Sequence, residues 1–96
     1  MALYIFARFE PRPGKQQRLL DELKLLLEPT RAEPGCIRIH LYESVRDPPV
    51  FFIHSEWTGE AAFDAHAELP HMKRFLGLVE ELITHSLEAV RTKQIG

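Results

Sequence analysis

The chain has 96 residues, which predicts a single domain over 1–96 whose core hides about 60–65% of the surface the unfolded chain exposes. Hydrophobic residues make up 45%, more than one small core needs, so a second apolar surface and self-association are expected. The 12 Lys+Arg against 14 Asp+Glu leave a net charge of −2 without a basic tract, which argues against nucleic acid as partner. No apolar stretch approaches the roughly 20 residues a membrane span needs. The single Cys36 closes no internal disulfide, and MALYIFARFE lacks a basic leader and a small-residue cleavage site. The expectation is a soluble cytoplasmic protein.

Leu3 to Phe9 reads as a strand that stops at Glu10-Pro11-Arg12-Pro13-Gly14, and apolar residues on both parities imply cover on both faces. Lys15 to Arg31 reads as a helix. Leu19, Leu23, Leu26, Leu27 and Thr30 form its inner stripe, with Pro29 straining the last turn. The turn Glu33-Pro34-Gly35 ends it. Cys36 to Val45 alternates, with Ile37, Ile39 and Leu41 as the apolar set. The loop Arg46-Asp47-Pro48-Pro49 then leads to a strand over Val50 to Trp57. These two strands make an antiparallel hairpin of open register, so whether His54 or Ser55 shares a side with His40 is undetermined.

Gly59 to Ala67 predicts a short helix with Ala62, Phe63 and His66 along one side, and Pro70 suits the opening of the next. There Met72, Phe75, Leu76, Val79, Leu82 and Ile83 predict one continuous helix that ends at His85-Ser86. Leu87 to Thr92 closes the chain as a strand. The order β-α-β-β-α-β is that of an α+β, ferredoxin-like split βαβ unit with an antiparallel sheet. Such a sheet has one face without helices, and two of them stacked face to face would cover it.

Several stretches resemble the antibiotic biosynthesis monooxygenase domain family. They are Arg31-Ala-Glu-Pro-Gly-Cys36, the arm LYESVRDP (Leu41 to Pro48), the strand-ending Glu56-Trp57, AFDAH…LPHMKRF (Ala62 to Phe75) and the opening ARFEPRPGK. The likeness runs along essentially the whole chain. It implies a homodimeric α+β barrel with a pocket between sheet and helices in each subunit. It also implies cofactor-independent oxygenation of quinols or polycyclic phenols, although the family holds haem-degrading and isomerising members as well. The haem-degrading pattern fits poorly. Trp57 matches it, but Ile5 and Phe6 stand where a first-strand Asn belongs, and Leu76 stands where a helical His belongs.

Cofactor-free oxygenation needs an apolar pocket, aromatic walls, molecular oxygen and a base that titrates near neutrality, for which histidine is the natural choice. His66 and His71, at the family's AH and PH positions, are the candidate catalytic residues. Trp57, His40, His54, Tyr42 and Phe63 are the candidate substrate-binding residues. His85, after a helix end, reads as structural. No metal is expected, because His66 and His71 lie five residues apart with Pro70 breaking the helix between them, and HExxH and CxxC patterns are absent. The expected function is a cofactor-independent monooxygenase of a small aromatic or quinol-type substrate. The alternatives are a cofactor-free isomerase of a small metabolite and a non-catalytic barrel that binds aromatic ligands.

Overall fold

The computed structural model describes residues 2–96. Its elements are β1 (Leu3–Phe9), α1 (Gln16–Arg31), β2 (Cys36–Glu43), β3 (Phe51–Trp57), α2 (Glu60–Ala67), α3 (Pro70–Leu76) and β4 (Ala89–Thr92), with a 3₁₀ turn at Val79–Glu81. The sheet order is β2-β3-β1-β4 and every pairing is antiparallel. This is the ferredoxin-like α+β fold expected from the sequence.

The strand periodicity sorts the side chains cleanly. Leu3, Ile5, Ala7 and Phe9 of β1 and Phe51, Ile53 and Trp57 of β3 are buried beneath the helices. Ala7, Phe9, Phe51 and Ile53 meet Leu19, Leu23 and Leu26 of α1 together with Phe75, Val79, Leu82 and Ile83, while Leu3, Ile5 and Trp57 form a second cluster with Cys36, Ala62 and Phe63. Intervening residues face the other way, and Phe6, Tyr42, Phe52 and Val90 stay 40–52% exposed. His40 pairs directly with His54, so the two imidazoles share that open face.

Three local expectations are corrected. Ile37 is not core: a bulge between Cys36 and Arg38 shifts the register against β3, and Ile37 is left 46% exposed. The last helix is not continuous either. α3 ends at Leu76 with Gly77 as its C-cap, and a 3₁₀ turn carries Val79 inward. Val79, Leu82 and Ile83 still reach the core, so their spacing suits the turn as well as a helix. β4 is shorter than predicted and begins at Ala89. Pro29, by contrast, sits inside α1 without ending it. The peptide N–H it lacks would have met Leu25, which lies on the outer side at 62% exposure, where water can take the carbonyl.

Candidate active site

The turn after α1 is pressed against the start of α2. A Cβ on Gly35 would collide with the Cβ of Ala62 and approach Thr58 Oγ1 to 3.3 Å, so this position needs glycine for space. The Gly35 carbonyl also accepts the Thr58 backbone N–H at 2.9 Å. These two constraints hold Glu33 beneath the helices, with its side chain only 8% exposed.

Glu33 is the centre of the site, and a single carboxylate oxygen holds both histidines. His66 Nδ1 lies 2.7 Å and His71 Nε2 2.9 Å from Glu33 Oε2. A carboxylate only accepts, so each of these nitrogens carries its proton. Nε2 of neutral His66 then bears the lone pair, and it makes no hydrogen bond among the described residues. Burial pushes the His66 pKa below its ordinary value, the hydrogen bond and negative charge of Glu33 oppose that, and nearby His71 adds a small downward push. The net lowering favours the neutral imidazole, whose lone pair is then at Nε2.

Aromatic rings fix the His66 ring in place. Trp57 lies 4.7 Å from it between centroids and Phe63 5.6 Å. The indole N–H of Trp57 donates to Ser55 Oγ at 3.0 Å. Between the sheet and the helices lies a cavity of about 60 Å³ whose walls include Thr30, Ser55, Trp57, Phe63, His66 and Met72. Its other walls are aliphatic or aromatic. Exposure rises outward from this cavity, from 6% for the His66 side chain through Glu33 to 21% for His71. Cys36, beside the turn, has its thiol pKa raised by burial and then by Glu33, which keeps it protonated and unreactive.

Of the residues singled out in the sequence, the structure brings together His66, His71, Trp57 and Phe63. His71 does not line the cavity and reaches His66 through Glu33. His40, His54 and Tyr42 stand on the opposite face of the sheet, where His54 packs 4.7 Å from Phe6 and His40 lies 6.3 Å from Tyr42. His85 bridges the backbone, accepting the Glu10 N–H at Nε2 and approaching the Ser86 carbonyl through Nδ1. In the sequence Glu33 figures as part of a turn and of the family-like stretch Arg31 to Cys36, with no mark of a site residue. The helix break at Pro70 does not part the two histidines, whose rings lie 5.8 Å apart.

Glu33, His66 and His71 also form the one donor set among the described residues whose ligand atoms all lie within 4.8 Å, as a metal would require. The two nitrogen–oxygen separations are hydrogen-bond lengths. Ligands about 2.0–2.1 Å from a tetrahedral ion sit roughly 3.3 Å apart, so a cation would have to spread the group. As it stands, one carboxylate oxygen of Glu33 hydrogen-bonds both imidazoles.

Residues 2–78 match the family model described as antibiotic biosynthesis monooxygenase. The chain belongs to this family. YcnE of Bacillus subtilis is 32% identical over 87 residues, which cover 91% of this chain and 92% of that protein. The structure of Rv0793 from Mycobacterium tuberculosis superimposes with a TM-score of 0.93 at 30% identity, covering 100% of this chain and 97% of the other. PA3566 from Pseudomonas aeruginosa gives a TM-score of 0.90 at 27% identity, over 99% and 95% of the two chains. Membership makes this a monooxygenase-like protein. Among the described residues no helix is long and apolar enough to cross a membrane.

Proposed function

We propose that the protein is a cofactor-independent monooxygenase of a quinol or polycyclic phenol, with His66 as its general base. The observation that carries this reading is the Glu33-held His66 on the wall of an apolar, aromatic-lined cavity. Nε2 takes the hydroxyl proton of the substrate, and Glu33 stabilises the imidazolium that results. The electron-rich ring carbon then reacts with dioxygen. One oxygen atom forms the new C–O bond and the other leaves as water, the substrate supplying the electrons. His71 acts on His66 through the shared carboxylate and stands nearest solvent, the side from which the proton leaves. Trp57 and Phe63 hold the ring.

At about 60 Å³ the cavity is well below the roughly 150 Å³ that admits a benzene ring. Ring entry therefore requires a wall to move. Met72 is the flexible candidate, half-buried where Phe63 and Leu87 are also incompletely covered.

A homodimer belongs to the same proposal. Phe6, Tyr42, Phe52 and Val90 leave an apolar open sheet face with a groove of about 1020 Å³ that His54 and Tyr42 also line. A second copy of the chain would cover this face. Phe6→Asp with Phe52→Asp should then halve the mass seen by light scattering.

The activity test is oxygen uptake with a panel of hydroquinones. His66→Ala should abolish uptake and His71→Ala should only reduce it, with the fold intact by circular dichroism. Full uptake by His66→Ala would remove the base from the reading. Mass-neutral conversion without oxygen uptake would instead make the protein an isomerase, and binding without conversion a ligand carrier.

A further inference from the structure

Thr30 lies on the inner stripe of α1 with no exposed surface. Its Oγ1 is the one buried side-chain polar atom among the described residues without a hydrogen-bond partner. Buried hydroxyls are nearly always paired, because an unmade bond in an apolar site is costly. Valine has the same shape without that cost, so the hydroxyl is an expense to the ligand-free fold. Ser55, the other hydroxyl on the cavity wall, already accepts the Trp57 indole N–H at 3.0 Å. Thr30 lines the same cavity as His66, so a residue with an unpaired hydroxyl and the Glu33-held imidazole border one apolar space.

We propose that Thr30 is a substrate-binding residue whose hydroxyl pairs with an oxygen of the bound aromatic compound, selecting oxygenated rings over hydrocarbons of equal shape. The substrate class rests on the reading above. A site built to hydrogen-bond a polar group discriminates strongly against an analogue lacking it, because its own buried polar atom is then left unpaired. A purely apolar cavity would not make that distinction.

The test uses the full chain with Thr30→Val and Thr30→Ser. Thermal unfolding without ligand is measured, as is anaerobic binding of 1,4-hydroquinone and of p-xylene, its methyl isostere. Thr30→Val should raise Tm, lose about fivefold to tenfold in hydroquinone affinity and keep its p-xylene affinity. Thr30→Ser should retain hydroquinone affinity. A lower Tm for Thr30→Val would overturn the proposal, because the hydroxyl would then already be satisfied, for instance by a buried water. Unchanged hydroquinone affinity, or equal loss for both ligands, would overturn it too, as would a wild-type protein that binds no hydroquinone. Hydroquinone affinity lost in Thr30→Val while His66→Ala keeps turnover would leave this assignment standing and remove only the base.

Discussion

Glu33→Gln isolates what the shared carboxylate does. The substitution keeps the shape and removes the charge from the oxygen that receives His66 Nδ1 at 2.7 Å and His71 Nε2 at 2.9 Å. Hydrogen bonds to a charged partner contribute about 1.5–3 kcal/mol and neutral ones about 0.5–1.5. With two such bonds, loss of the charge should therefore cost about 2 kcal/mol, a fall in Tm of about 8–16 °C for a domain of this size. The effect on His66 has a definite sign. Burial lowers its pKa, while Glu33 raises it through both hydrogen bond and charge, so the variant should titrate at still lower pH. An amide N–H turned toward Nδ1 would also move the ring proton to Nε2 and remove the base. Imidazole ¹H–¹⁵N spectra followed across pH report both pKa and tautomer without any substrate. A His66 pKa that rises in Glu33→Gln, or an unchanged tautomer with unchanged stability, would refute this role of Glu33.

Other perturbations test the surroundings. Gly35→Ala should destabilise by about 1–3 kcal/mol through overpacking against Ala62, and Ala62→Gly should restore much of the loss in the double variant, read from a chemical-denaturation cycle. The bidentate Arg74 contact at 2.8 and 2.9 Å holds the Glu22 carboxyl below its ordinary pKa despite burial. Its stabilisation is thus complete above the unfolded carboxyl pKa of about 4.3 and is lost as pH falls through the lower folded value, and Glu22→Gln should flatten that part of the acid-unfolding curve. His66 acts in a higher window. With its folded pKa lowered, stability is complete above about pH 6.5 and declines below it, and His66→Gln should remove the decline. Arg91→Ala breaks contacts to Asp64, Glu60 and the Phe63 ring. Because the ion-pair partners are largely exposed, denaturation should show little or no loss of stability.

The sequence announces what depends on local periodicity. The apolar runs of Leu3–Phe9 and Val50–Trp57 and the stripe ending on Thr30 give strands and helix to within a residue or two, because strand length and helical period are written in the apolar spacing. Ile37 escapes this logic, since a bulge changes parity without a mark in composition. Gly77 caps α3, yet the apolar spacing of Val79, Leu82 and Ile83 continues the helical pattern past it and so hides the stop. Glu33 was invisible for a different reason. Its partners lie 33 and 38 positions away, and a Glu before Pro-Gly looks like any solvated turn until the helices close over it. His66 and His71 are legible from the family's AH and PH positions, and Trp57 and Phe63 from their place close by in sequence.

The bulge at Ile37 also bears on how copies of this chain can meet. β2 and β4 are the two edges of the sheet, where unpaired backbone groups invite strand addition. The bulge interrupts the regular row on β2, and β4 offers only four residues. Both margins are poor templates for a growing fibre. Strand-edge addition is thereby disfavoured on both sides, and the homodimer proposed above would use the face of the sheet instead.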